Sequence, residues 1–404
     1  METLAVVADL VAAAGLAQGA ASLAIARRFG RRPAAVPRAR PPVTVLKPLY
    51  GGEPLLEEAL ASLCIQDYPA MQVVFGVQDP DDPALRTVHR LRARFPVLDV
   101  AVVVNSAQHG ANRKVGNLIN MYSAAKHDVI VVADSDMHTA AGYLDQVVAA
   151  LEAPGVGLVT TLYAGLRANG SLAARLAAAG INQSFVPGYL FARMLLGRQD
   201  CLGATMALRR ETLERAGGFE ALADHLADDA VLGRRVRALG LDVALAGVIP
   251  ATTVPEAALP ALLSHELRWA RTTQKLEPLG YALSVMQHSL AWAGLGVALG
   301  ADLAWTWAVF LATWVLRWLT TQGIERALGF ASGLPAWCLP LRDLLSSGVL
   351  LASYGGDRVA WRGHVLRADA PAAVRLQRRS TWRSTLRSKW RLAKRRLTEG
   401  LTVP

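Results

Sequence analysis

Cysteine is scarce in this chain: Cys64, Cys201 and Cys338 are the only three in 404 residues. Three widely spaced thiols make neither a disulfide framework nor a zinc-ligand spacing, and they suit a reducing compartment. Excess positive charge is absent from most of the sequence. Of the formal net charge of +11, residues 362–404 carry +10, with twelve Lys or Arg against Asp369 and Glu399. The rest is near neutral, so the basicity belongs to the tail and is not a nucleic-acid footprint. The chain is also too polar for a polytopic transporter. A hydrophobic content of 52% and a mean hydropathy of +0.27 fit one water-facing domain plus a few membrane spans.

A cleaved signal peptide carries its positive charge before its apolar core. Here residues 4–26 are apolar apart from Asp9, Gln18 and Ser22, and Arg27, Arg28, Arg31 and Arg32 follow them. That order predicts a membrane anchor with the arginines in the cytoplasm and Met1 outside. Five regions are expected: an anchor (1–28), a Pro/Arg linker (29–42), a catalytic domain (43–276), further membrane segments (277–360) and a basic tail (361–404). Within 277–360, residues 282–300 and 303–318 read as spans joined by Gly300-Ala301-Asp302. Residues 334–354 are interrupted by Pro340, Arg342 and Asp343 and read as a re-entrant piece or a third span. In the tail, Trp382, Leu386, Trp390, Ala393 and Leu397 form one helical stripe among Lys and Arg. This pattern predicts an amphipathic helix on an anionic membrane surface, with a disordered basic tail as the plainer alternative.

Residues 43–276 alternate strand and helix patterns, which predicts a mostly parallel sheet covered on both faces. Strands are expected at 43–46, 73–77, 100–104, 129–133, 158–162 and 204–208, and helices at 54–65, 83–95, 112–125 and 142–151. Two acidic clusters then fall at strand ends, where open α/β sheets bind ligands. Asp134-Ser135-Asp136 follows the strand Val129-Ile130-Val131-Val132-Ala133. Its two carboxylates offer hard oxygen ligands for Mg²⁺ or Mn²⁺ beside a diphosphate, although such triplets also decorate solvated turns. Asp79, Asp81 and Asp82 follow the strand at 73–77. They are suited to hydrogen-bonding a base or ribose; equally, they suit a turn that caps the next helix at Pro83.

Asp228-Asp229 opens a helix, so one of the pair reads as its N-cap and the other as a general base for an attacking hydroxyl. Lys114, at the start of a helix after His109-Gly110, can meet phosphate; the alternative is an ordinary amphipathic helix start. His265-Glu266-Leu267-Arg268-Trp269 lies on a helix just before the membrane segments. His265 and Arg268 share a face at i and i+3, to hold a pyrophosphate or simply as an interfacial Trp/Arg belt. His138 and His225 read as surface or supporting residues.

As a set, these stretches resemble the ceramide glucosyltransferase family, glycosyltransferase family 21, a relative of family 2. Leu46-Lys47-Pro48-Leu49, Gln66-Asp67-Tyr68-Pro69, Gly203-Ala204-Thr205-Met206 and Ala216-Gly217-Gly218-Phe219 join the acidic motifs in carrying the likeness, over roughly residues 1–365. That family ends its motif series with Gln/Arg-x-x-Arg-Trp; this chain has His265 in place of Gln or Arg, followed by Arg268-Trp269. The strings around His265, Gly110 and Ala223 look like bacterial hopanoid-biosynthesis glycosyltransferases, which points to the bacterial inner membrane.

The resemblance implies a GT-A fold with a cytoplasmic catalytic domain. It implies a UDP-sugar donor, with N-acetylglucosamine as the expected sugar, a lipid acceptor (a hopanoid such as bacteriohopanetetrol, or ceramide) and inversion at the transferred carbon. It assigns Asp79, Asp82, Lys114, His265, Arg268 and Trp269 to the donor, Asp134 and Asp136 to a divalent cation (Mn or Mg), and Asp229, with Asp228, to catalysis. Three alternatives remain: a ceramide glucosyltransferase using UDP-glucose, a processive polysaccharide synthase, for which the spans are too few, and a non-catalytic membrane scaffold.

Overall fold

The continuous apolar runs in the sequence become strands buried on both faces. The computed structural model describes residues 1–361 and 364–367. Between residues 43 and 254 its strands are, in chain order, β1 (Val43–Pro48), β2 (Met71–Val77), β3 (Asp99–Val104), β4 (Val129–Ala133), β5 (Met137–His138), β6 (Val156–Thr160), β7 (Ala164–Arg167), β8 (Thr205–Arg209), β9 (Asp242–Leu245) and β10 (Ala251–Val254). The main sheet has the order β3-β2-β1-β4-β8-β6-β9, and a small second sheet has the order β5-β10-β7. In the main sheet only β8 runs antiparallel to its neighbours β4 and β6; the other pairs are parallel.

Side-chain alternation sorts each strand between two cores. Val43, Val45, Val73, Phe75 and Val131 pack beneath helices Leu56–Cys64, Ala84–Arg94 and Tyr143–Leu151. Leu46, Val74, Ile130 and Val132 pack on the opposite face against helices Arg113–Tyr122 and Asp228–Ala238. Full burial of one such side chain contributes about 1.5–3 kcal/mol. The predicted helices and strands are present here, with ends shifted by up to three residues.

Three features fix the start of helix Arg113–Tyr122 and the loop before it. Asn112 caps helix Arg113–Tyr122, its side chain accepting from the Val115 N–H at 3.2 Å. The loop before this helix is tied to a distant one: Asn112 N donates to Ala223 O (2.8 Å) and Ala111 N to Asp224 Oδ1 (3.0 Å). A Cβ at Gly110 would lie 2.6 Å from the Ala223 carbonyl oxygen, so this approach requires glycine.

The remaining helices differ in part from the expected spans. Glu2–Gly30 is the one helix among the described residues that is long and apolar enough by itself to cross a membrane. The straight span expected at 282–300 is instead broken: Pro278–Gln287 and Ser289–Leu299 meet at 66°. Pro278 opens the first piece, and the chain leaves helical geometry at His288. The expected turn at residues 300–302 leads into helix Ala304–Leu328, and residues 334–354 hold a short 3₁₀ turn (Ala336–Cys338) followed by Leu339–Ser353. The predicted amphipathic tail helix lies outside the described residues.

Candidate functional site

At the C-terminal edge of the sheet, Lys114 joins carboxylates from two chain segments. Its Nζ lies 2.6 Å from Asp134 Oδ1 and 3.7 Å from Asp228 Oδ2. Lys114 (12% exposed) and Asp228 (9%) sit inside, whereas Asp134 keeps 36% of its side-chain surface, so the Asp134 carboxylate is the most exposed of the three. Burial alone would lower the Lys114 pKa, but Asp134 and then Asp228 and Asp229 push it up, so the ammonium stays charged. The sequence placed Lys114 and the two acidic motifs apart. The Asn112–Ala223 tie brings them together.

Asp229 is half-buried, and its Oδ1 accepts from the Ala230 N–H at 2.7 Å. Burial first, then the neighbouring Asp228 charge, raise its pKa to about 7, with Lys114 opposing. A carboxylate poised there can take a proton near neutral pH. The N-cap reading of Asp228-Asp229 is corrected. Helix Asp228–Ala238 begins at Asp228 with Ala227 as its N-cap and no side-chain capping bond. Asp228 instead faces Lys114 and the Asn112 amide (3.5 Å), held without a cap because burial and the ion pair use its carboxylate elsewhere.

Asp136 is tied to the small second sheet. Its Oδ2 accepts from Thr252 Oγ1 on β10 at 2.5 Å. Burial and then the Asp134 charge raise its pKa, while Thr252 and Lys47 oppose. Lys47, wholly buried at the end of β1, donates to the Asp134 carbonyl at 2.6 Å and fixes this turn. Burial lowers the Lys47 pKa to about 8. Among the described residues no group of three or more His, Cys, Asp or Glu is arranged for a metal. The donor set is therefore two mutually repelling carboxylates, Asp134 and Asp136. Two carboxylates completed by substrate oxygens and water fit Mg²⁺ or Mn²⁺.

Asp79 and Asp82 differ from each other. Asp79 is exposed, and among the described residues its side chain accepts from the nearby Asp81 N–H (2.9 Å). Asp82 is buried. Its carboxylate accepts from Gly51 N at 3.0 Å and from Ala84 N at 2.8 Å, holding the loop after β1. That loop reaches the Asp134 turn through Glu53, whose Oε2 accepts from Ser135 Oγ at 2.5 Å. Asp82 thus fixes the turn before helix Ala84–Arg94 without being its N-cap: Pro83 holds that position, and no side chain caps the helix.

His265, Arg268 and Trp269 lie on helix Leu259–Leu276. The His265 ring meets Trp269 edge-on at 4.5 Å, and the Arg268 guanidinium lies 6.0 Å from the Trp269 ring. His265 Nδ1 is hydrogen-bonded to buried Glu256. Burial favours neutral Glu256, yet His265 holds its pKa below the usual value.

Sequence reasoning missed Glu256, Thr252 and Tyr163. Tyr163 packs against Phe185 (5.0 Å) and Trp269 (6.3 Å). Its place just beyond β6, at the same sheet edge as Asp134, was the available signal. Nothing in the sequence marked Glu256. His138 binds Thr253 (2.8 Å) and His225 offers its carbonyl to Asn112 (2.8 Å); both support the surrounding loops.

A model of glycosyl transferase family 21 matches residues 7–373. The chain belongs to this family. A family relative, the ceramide glucosyltransferase of Komagataella phaffii, is 33% identical over 113 residues, which cover 27% of this chain but only 22% of that protein. Ceramide glucosyltransferase 1 of Caenorhabditis elegans is 20% identical over 354 residues, covering 84% of this chain and 74% of its own. Among solved structures, a mannosyltransferase from Pyrobaculum calidifontis, in complex with GDP-Man and Mn²⁺, aligns with a TM-score of 0.53 at 21% identity. The alignment covers 86% of this chain and 99% of that one. The likeness shows the GT-A glycosyltransferase fold expected from the sequence.

Proposed function

We propose that this family 21 protein is a membrane-bound inverting glycosyltransferase that moves a sugar from a UDP-sugar to a hydroxyl of a lipid. The observation that carries the reading is the cluster of Lys114, Asp134, Asp136, Asp228 and Asp229 at one sheet edge. Four carboxylates against Lys114 and Lys47 suit a cation and a diphosphate arriving together. Asp134 and Asp136 would hold the divalent cation. When bound, it neutralises charge on the departing diphosphate. Lys114, Arg268 and His265 would supply the cations and a hydrogen-bond donor for the phosphates, and the exposed Asp79 would serve the uridine side. Asp229 takes the proton of the attacking hydroxyl as its oxygen bonds to the sugar carbon. The bond from that carbon to the diphosphate breaks from the opposite side, and UDP leaves with the electron pair.

A lipid acceptor is supported by the ceramide glucosyltransferase relatives and by the apolar helix Glu2–Gly30. Our finer reading is N-acetylglucosamine transfer to bacteriohopanetetrol at the cytoplasmic face of a bacterial inner membrane, with helices in 277–360 also in the membrane. It rests on the sequence strings around Gly110, Ala223 and His265. The test is UDP release by the purified protein in detergent. UDP-N-acetylglucosamine with bacteriohopanetetrol is run against UDP-glucose with ceramide, followed by mass spectrometry of the lipid. Glycosylated ceramide alone would replace the hopanoid reading, and no UDP release with either pair would remove the transferase reading.

A further inference from the structure

Tyr163 stands between β6 and β7, and the chemistry described above leaves its hydroxyl unused. Its ring is held on two sides, by Phe185 at 5.0 Å and by the Trp269 edge at 6.3 Å. Trp269 is itself braced by His265 at 4.5 Å. The ring belongs to the apolar cluster that also contains Ala26 and Phe29 of helix Glu2–Gly30 and Ile324 of helix Ala304–Leu328. Its other side is charged. After burial, the carboxylates of Asp229, Asp134 and Asp136 raise its pKa, with Arg268 opposing, so the phenol stays protonated. The side chain is half-buried, and among the described residues the hydroxyl makes no hydrogen bond. A neutral O–H donor thus stands at the border between the carboxylate cluster and the helical layer, without a protein acceptor. Water can satisfy this half-exposed hydroxyl in the free protein, and a ligand hydroxyl can take that water's place.

We propose that Tyr163 contacts the acceptor, donating a hydrogen bond to the attacking lipid hydroxyl and holding it beside Asp229. This inference rests on the transferase reading and assigns a residue to its acceptor side. A lipid reaches the site from the apolar layer, where the Tyr163 ring lies, whereas the nucleotide meets the charged residues. Tyr163 keeps its proton throughout. One lone pair of the acceptor oxygen accepts the Tyr163 hydrogen bond, another attacks the sugar carbon, and the hydroxyl proton passes to Asp229.

The test is Tyr163→Phe, which keeps the ring and its packing. Three quantities are measured on the full chain in detergent: lipid glycosylation with bacteriohopanetetrol or ceramide, Kd for UDP, and slow hydrolysis of the UDP-sugar by water without lipid. The expected result is a fall of about tenfold or more in kcat/KM for the lipid, carried by a higher lipid KM, because a site built to hydrogen-bond a hydroxyl discriminates by that bond. UDP affinity and hydrolysis should stay within about twofold of the unaltered protein. The unchanged UDP affinity also reports that the variant is folded. Lipid transfer within about twofold would overturn the assignment. So would a parallel loss of UDP binding and hydrolysis, which would place Tyr163 on the donor side. If the unaltered protein neither bound UDP nor consumed a UDP-sugar, the transferase reading itself would fall and Tyr163 with it.

Discussion

Replacing Asp229 with Asn tests the proposed base, and the structure gives the pH behaviour as well as the rate. Asn keeps the size and can still accept from the Ala230 N–H, but it cannot take a proton. General-base catalysis contributes about 10²–10⁴-fold, or about 3–5 kcal/mol of barrier. The expected fall in kcat lies in that range, with the Kd for UDP nearly unchanged. The unaltered protein should lose activity as pH drops below about 7, the value to which burial and Asp228 raise the Asp229 pKa. The ionised form is the active one, so the rate should fall about tenfold per pH unit on the acid side. The residual rate of Asp229→Asn should lack this limb.

Stability should move the other way. A carboxylate whose pKa is raised on folding stabilises the fold when protonated. That contribution is complete below about pH 4, the ordinary Asp value, and is lost as pH rises through about 7. Asp229→Asn should therefore melt at or above the temperature of the unaltered protein at pH 8. Asp228→Asn supplies a paired check: removing the charge that adds to burial should shift the acid limb to lower pH. The assays are UDP release across pH 5.5–8.5 and thermal melts at about pH 6 and 8. An Asp229→Asn enzyme with unchanged kcat and the same acid limb would refute the reasoning.

Removal of divalent cations with EDTA should abolish turnover, and Mn²⁺ or Mg²⁺ should restore it, if Asp134 and Asp136 are the hard oxygen ligands proposed above; undiminished activity in chelator would sink that assignment. Arg342→Ala leaves Glu266 without the partner now 2.6 Å away and should cost about 3–5 kcal/mol, read as a lower melting temperature in detergent. A melting point within about a degree of the unaltered protein would count against a structural role for the pair. A reporter active only in the periplasm, fused near Ala168, should stay silent if the arginines after residue 26 face the cytoplasm, and a strong signal there would reverse the topology.

The sheet was legible because its strands are short runs of Val, Ile and Leu bounded by turn residues, such as 129–133 before Asp134. Nearly every central position is buried, so tertiary context agreed with local pattern. Asp134 and Asp229 were legible as acids at element ends. Their meeting through Lys114 was not, because it depends on hydrogen bonds from the backbone of residues 111–112 to the Ala223 carbonyl and the Asp224 carboxylate, over a hundred positions apart. Thr252 and Glu256 were invisible for the same reason: each becomes informative only through its partner, Asp136 or His265. The broken helix at 278–299 was misread because hydropathy counts apolar residues and ignores direction; a 66° bend at His288 leaves the count unchanged. Asp82 shows the opposite limit, since one short acidic string served both a cap and a ligand reading, and only its bonds to Gly51 and Ala84 separate them.

The helix carrying His265, Arg268 and Trp269 admitted two readings, a ligand site or an interfacial belt, and the structure makes them compatible. Glu266, one residue after His265, pairs through both oxygens with Arg342 at 2.6 and 3.0 Å. Arg342 also donates to Ser346 (2.9 Å) and the Leu176 carbonyl (3.2 Å). A Cβ at Gly180 would lie 2.9 Å from the Arg342 guanidinium and 3.2 Å from the Glu266 carboxylate, so the junction is closed tightly around a glycine. One side of helix Leu259–Leu276 thus meets Tyr163 and Glu256, and another is clamped to helix Leu339–Ser353. The clamp therefore fixes the candidate donor residues with respect to the apolar helices, which a transferase must do when one substrate arrives from water and the other from lipid.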